Sequence, residues 1–249
     1  MTMREPRAVG RCRPLPSVER HLTILPNRDE LTRKTFSLGG TDVSIWHLSE
    51  IDGFLGRLLP GGRPADDDVP YYAWVWPVST VLGAAIMRGP ALTGKTAIEL
   101  GCGHGLAGLC AGLKGARVTL TDLQDGAIML ARMNVEELQL QDRVTVMKMD
   151  WRAPTLERAD IIICSDVIYQ HRFIPAIVNA IWALLKPKGV ALIADASREY
   201  FPRFTEAAIN RGFRVDEGPS ERTEDGTVAR LYALRHQDVR GTEKAPWES

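Results

Sequence analysis

Ala97-Ile98-Glu99-Leu100-Gly101-Cys102-Gly103-His104-Gly105 decides how the rest of this chain is read. A short apolar run carries one acid, and glycines then fall at every second position. Continuous apolar runs mark strands buried on both faces of a parallel sheet. Glycine serves a tight turn that needs positive φ, or a backbone that must approach a ligand closely. Residues 96–100 are therefore expected as a strand and about 106–114 as a helix. The free N–H groups and positive dipole end of that helix would face a bound molecule.

Downstream, strands and helices alternate. A second strand is expected over 117–121, ending at Asp122, and a helix over 125–138, where Ile128, Leu130, Ala131, Val135 and Leu138 keep helical spacing. A third strand over 144–148 ends before Asp150. A fourth, isoleucine-rich, covers 160–164 and precedes Ser165-Asp166-Val167-Ile168-Tyr169. A helix over 173–185, a turn at Lys186-Pro187-Lys188-Gly189, a fifth strand over 190–194 and a helix over 201–211 follow. Residues 213–215 and 228–234 read as two strands with no helix between them, so they should pair antiparallel at one edge. The expected fold is α/β, a Rossmann-like doubly wound sheet of five parallel strands plus a C-terminal antiparallel hairpin, with an N-terminal extension.

Upstream of the glycine turn, four aromatics crowd Tyr71-Tyr72-Ala73-Trp74-Val75-Trp76-Pro77. Pro77 suits the first turn of a helix over 78–88. Residues 35–38 and 43–46 flank Gly39-Gly40 as a hairpin, 51–59 suit a short helix, and 60–68 a loop. The chain divides into an arm, hairpin and loop over 1–70, a central domain over 71–235 and a tail over 236–249. Arg4, Arg7, Arg11, Arg13 and Arg20 precede no apolar signal core, and Pro6, Pro14 and Pro16 interrupt an amphipathic transit helix. A loosely packed arm is expected there.

Composition narrows the partners. The 249 residues are 45% hydrophobic and 25% charged, and 31 acidic residues balance 31 basic ones. Neutral net charge gives no electrostatic footprint for nucleic acid, and no run is long enough to span a membrane. Cys12, Cys102, Cys110 and Cys164 show no metal-like spacing; three fall in core segments. No metal, a reducing cytoplasmic setting and a monomer are expected.

Two nucleotide classes compete for the glycine turn. A dinucleotide fingerprint would read G-x-G-x-x-G, but the third glycine here is Gly105 and position 106 is Leu. The letters G-x-x-x-x-G-K-[ST] fall at Gly89-Pro90-Ala91-Leu92-Thr93-Gly94-Lys95-Thr96, but they lead into the expected 96–100 strand and not from a strand into a helix, so they do not make a phosphate loop. Glu99-Leu100-Gly101-Cys102-Gly103-His104-Gly105 instead resembles motif I of class I (seven-β-strand) S-adenosylmethionine-dependent methyltransferases. Trp74, Trp76 and Pro77 upstream, together with Asp166-x-x-Tyr169 after strand four, resemble the lysine methyltransferase-like group, methyltransferase family 16. The motifs cover about residues 71–185. The resemblance implies S-adenosyl-L-methionine as cofactor. Asp122 would hold the ribose hydroxyls, Asp150 the adenine amino group beside Trp151, and Glu99 would lie near the methionine end. Trp76, Gly101, Gly103, Gly105, Leu123 and Ser165 complete the implied cofactor set.

Asp166 and Tyr169 are implied at the acceptor site, with Tyr169 one helical turn after Asp166 on the same face. Characterised members of the group mostly methylate lysines of non-histone proteins, so a protein substrate is expected. A lysine amine is almost wholly charged at pH 7, and transfer from a sulfonium needs its lone pair. An aromatic channel would favour the neutral amine by desolvation, while Asp166 would orient it and route its proton. A small-molecule N- or O-methyltransferase is the main alternative, because fold does not decide substrate. A cofactor-binding scaffold without chemistry is another. A nucleic-acid base methyltransferase would carry Asn/Asp-Pro-Pro-aromatic after strand four, where this chain has Ser165-Asp166-Val167-Ile168-Tyr169.

Overall fold

The computed structural model describes residues 25–58, 69–196 and 199–248. The expectations for the Arg-rich arm and the 60–68 loop lie outside the described residues. Seven strands form one sheet: β3 (Thr96–Leu100), β4 (Arg117–Asp122), β5 (Val144–Lys148), β6 (Ala159–Ser165), β7 (Leu185–Asp195), β8 (Phe213–Arg222) and β9 (Val228–His236). Their order is β5-β4-β3-β6-β7-β9-β8. The first five run parallel, and β9 joins β7 and β8 antiparallel. This is the expected sheet. The chain leaves β3 toward β4 and β5, then returns to place β6 on the other side of β3. The strand order reverses there, and ligands of doubly wound sheets bind beyond the carboxyl ends at such a point.

Alternation along the strands feeds two cores. Ile161 and Ile163 of β6 pack with helices α2 (Pro77–Arg88) and α3 (Leu106–Leu113). Ile162 and Cys164 pack with α5 (Ile174–Leu184) and α6 (Phe201–Arg211). Ala97 and Glu99 share the first face and Ile98 and Leu100 the second. Glu99 is thereby turned toward α3.

Two sequence expectations are corrected. Lys186-Pro187-Lys188-Gly189 is not a free turn but an irregular start to β7, whose register shifts between Ala159 and Ile161 of β6. Lys186 Nζ reaches Asp160 Oδ2 at 2.9 Å, and a Cβ on Gly189 would sit 2.6 Å from the Asp160 carbonyl oxygen. The ion pair and the close approach keep the segment on the sheet. Residues after β9 are not a loose tail. Ala245 is buried, Pro246 packs against Gly89 and Trp247 against Gly218, while Glu243 pairs with Lys95 and Glu248 with the buried Arg235.

The hairpin of the N-terminal extension packs onto the main core. β1 (Leu31–Leu38) and β2 (Thr41–Leu48) place Leu38, Val43 and Ile45 in the same core as α2. The helix α4 (Asp125–Glu137) supplies Asn134, which holds the hairpin in place. Its Oδ1 accepts from the Trp46 amide at 2.6 Å, and its Nδ2 donates to the Trp46 carbonyl at 3.2 Å and the His104 carbonyl at 3.0 Å.

Candidate active site

A cavity of about 300 Å³ opens at the carboxyl ends of β3, β4 and β6. Its floor is the glycine turn. Gly101 has φ +65°, and a Cβ there would meet the Trp151 ring at 2.9 Å and Val167 at 3.1 Å. Both the turn and the close neighbours therefore require glycine. Gly103 lines the cavity and donates its amide to Asp122 Oδ2 at 3.0 Å. Gly105 does not line it. It caps α3 with φ +81°, and a Cβ there would strike Leu120 at 2.7 Å.

Two acids stand at this floor. Glu99 is 2% exposed. Its Oε2 accepts from the Gly108 amide of α3 at 3.0 Å, and burial pushes its carboxyl up to about 8. Asp122 accepts from the amides of Gly103 and Gln124, each at 3.0 Å, and from that of Leu123. Burial raises its carboxyl above the usual range, against the pull of those donors. Neither acid has an ion-pair partner among the described residues. Asp150 differs. It also lines the cavity, but it is ion-paired with Arg152 at 2.6 Å. Leu123, Trp151 and Ser165 also line the wall.

The remaining wall is aromatic. Rings run from Trp74 to Trp76 (6.1 Å), Trp76 to Tyr71 (6.3 Å), Tyr71 to Tyr169 (4.6 Å), Tyr169 to Phe173 (5.8 Å) and Phe173 to Trp151 (5.9 Å). Asp166 is 7% exposed and lines the same cavity. Its amide donates to the Ala194 carbonyl at 2.9 Å. Its φ of +55° is left-handed, a conformation that aspartate tolerates better than most residues. Here the helical-turn expectation fails. Residues 166–169 are not helical, and a short 3-10 turn begins only at His171. Asp166 and Tyr169 meet the cavity because the chain bends sharply after β6.

Sequence reasoning missed several cavity residues. Tyr71 and Phe173 complete the ring wall; the crowding of aromatics around Trp76 was the signal for Tyr71, and nothing in the sequence near Phe173 marked it. Tyr72 was missed too. Its hydroxyl is pushed up to about 12 by burial and by Asp122 and Asp125, and it leaves no space at Gly126, where a Cβ would lie 2.2 Å from the ring. Gly126→Ala should cost about 1–3 kcal/mol by overpacking, read as a lower urea midpoint, and should weaken ligand binding at this wall. A stability equal to that of the parent would mean that Tyr72 moves freely. His104 is buried, and desolvation holds its imidazole down to about 3, so it is a neutral core group.

A sequence-family model described as lysine methyltransferase matches residues 73–207, more than half of the chain. This chain belongs to the lysine methyltransferase family. Its matched region runs from the aromatic lead-in into α6, and its cofactor is S-adenosyl-L-methionine. Among curated relatives, "Protein N-lysine methyltransferase METTL21A" of Xenopus tropicalis is 34% identical over 132 residues, 51% of this chain and 61% of that protein. The Danio rerio protein of the same name is 34% identical over 155 residues, 58% and 70%. The chain thus spans about three fifths to seven tenths of these relatives. The "Ubiquinone biosynthesis O-methyltransferase" of Azotobacter vinelandii is 30% identical over 116 residues, 43% and 47%. Solved structures share the fold. TrmN from Thermus thermophilus superposes with a TM-score of 0.54 at 18% identity, covering 64% of this chain and 48% of that one. The ribosomal protein L11 methylase of Lactobacillus delbrueckii subsp. bulgaricus gives 0.52 at 18%, covering 64% and 79%.

The cavity of this lysine methyltransferase family member fits its cofactor. One buried and one half-buried acid, Glu99 and Asp122, without cationic partners among the described residues suit a ligand that carries a sulfonium and an ammonium. The glycine turn allows backbone approach, and the aromatic wall offers flat faces to an adenine ring.

Proposed function

We propose that this chain N-methylates a lysine side chain of a protein, using the glycine-turn residues to hold S-adenosyl-L-methionine. The carrying observation is that Asp166 and the ring wall around Tyr169 share one cavity with the acidic glycine turn. The names of the METTL21A relatives support the same acceptor class. In this reading Asp122 takes the ribose hydroxyls, Leu123 and Trp151 flank the adenine, and Asp150 takes its amino group by exchanging Arg152. Trp76, Gly101, Gly103 and Ser165 shape the rest of the pocket.

When bound, the cofactor supplies an electrophilic methyl group on a sulfonium. The protein's part is positioning. Tyr169 is fixed between Tyr71 and Phe173, so these rings exclude water and favour the neutral amine. An Asp166 carboxylate oxygen accepts a hydrogen bond from the amine Nζ, orients its lone pair and takes up the departing proton. Asp166 alone would favour the charged amine, so the ring wall must supply the opposite bias.

The free, buried Cys102, Cys110 and Cys164 support a reducing, cytoplasmic setting, and we propose action as a monomer. Among the described residues no helix is long and apolar enough to cross a membrane. The alternative acceptor is a small molecule, favoured by the similarity to ubiquinone biosynthesis O-methyltransferases. Incubation with cell extract and methyl-labelled cofactor separates the two. Label in a discrete protein band, recovered as methyllysine after hydrolysis, is the expected result. Label confined to small solutes would overturn the protein acceptor in favour of that alternative.

A further inference from the structure

We propose that Glu99 is the proton-exchanging counter-ion of the bound cofactor: it holds a proton in the empty site and gives it up when a cationic ligand arrives. This rests on the cofactor reading above and extends it to what determines ligand charge. The carboxyl is 2% exposed, at the floor of the cavity. One oxygen, Oε2, accepts a single backbone amide, that of Gly108. The other, Oε1, has no hydrogen-bond partner among the described residues.

Among the described residues, the surroundings supply no positive charge. Cys110 of α3 and Cys102 of the turn share the Glu99 face of the sheet, Asp122 ends the neighbouring β4, and Cys164 of β6 lies on the opposite face; buried His104 is neutral. Burial holds the three thiols protonated, so they add no charge. Asp122 is the competing site for the proton. It accepts three backbone amides against one for Glu99, and each such donor favours the ionised form. The proton therefore belongs on Glu99, whose carboxyl burial lifts to about 8. A ligand cation beside Oε1 reverses that balance.

The sign follows by linkage. A ligand that prefers ionised Glu99 must expel the proton below pH 8. Its affinity then rises with pH, by up to about tenfold per unit, and levels off above pH 8. At pH 7 most binding events should therefore release a proton. The shared chemistry is a cation, and the ligand has two, the sulfonium and the amino-acid ammonium.

Calorimetric titration of the full chain at pH 7, in buffers of different ionisation enthalpy, reads the released proton directly. S-adenosyl-L-methionine should show that release in the parent and almost none in Glu99→Gln, an isostere that keeps the bond to Gly108. S-adenosylhomocysteine distinguishes the cations: release with both ligands assigns the ammonium, release with the sulfonium ligand alone assigns the sulfonium. Methylthioadenosine, which lacks both, should release none. Buffer-independent binding of S-adenosyl-L-methionine overturns the proposal, as does undiminished release in Glu99→Gln or equal release with methylthioadenosine. A parent that fails to bind S-adenosyl-L-methionine at all overturns the cofactor reading as well. The pH dependence of Kd for the parent gives the same answer if the variant does not fold.

Discussion

Asp166→Asn is expected to lower methyl transfer about 100-fold or more while leaving cofactor affinity nearly unchanged. The choice of asparagine follows from the backbone. Asp166 sits at φ +55°, which asparagine adopts with little strain but which alanine adopts at a cost of about 1 kcal/mol or more. An alanine variant would mix that strain with the chemical loss. Asparagine keeps the amide bond to the Ala194 carbonyl and the side-chain shape. It replaces one acceptor oxygen by a donor and removes the negative charge, so it neither accepts the amine proton nor favours the same lone-pair direction. Initial rates with an accepted protein substrate, beside calorimetry with S-adenosyl-L-methionine, measure both quantities. Parent-like rates would remove Asp166 from the acceptor site. A large loss of cofactor affinity would move it to the cofactor side.

Asp122→Ala should weaken S-adenosyl-L-methionine binding about 100-fold, close to 3 kcal/mol. Two losses add. The proposed ribose contact would go, and so would the acceptors that hold the amides of Gly103, Gln124 and Leu123. Donors left unsatisfied in a partly buried site cost about 1–3 kcal/mol each if water does not reach them. The turn should loosen, and the urea midpoint should fall together with affinity. Asp122→Asn retains a single acceptor oxygen and is expected to lie between the two. Affinity unchanged in the alanine variant would refute the ribose assignment, whatever the stability.

The parallel sheet and the glycine turn were legible because their signals are local. Apolar runs of five to seven residues, each closed by a turn residue or an acid, are read without reference to the rest of the chain. The same holds for Pro77 at the start of α2. What stayed hidden depends on partners far away in sequence. Nothing near Pro246 or Trp247 announces that Gly89 and Gly218 leave space for them. Lys186 and Gly189 read as a turn until Asp160 is placed beside them. The geometry after β6 was misjudged for a different reason. Aspartate at +55° breaks the helical spacing that Asp166 and Tyr169 imply, and only the backbone reveals it. Tyr71, Tyr72 and Phe173 belong to the cavity through topology, with the lead-in folding over the end of β6.

The ring wall has a spectroscopic consequence. Trp74, Trp76 and Trp151, half of the six tryptophans, line the cavity. Trp46 lies in the hairpin, Trp182 under Arg211 of α6, and Trp247 on β8. Intrinsic emission from one chain therefore carries two messages without any added label. The cavity trio responds to a ligand that displaces water from the rings, while the outlying three report whether the hairpin, the α5–α6 layer and the C-terminal segment are still docked.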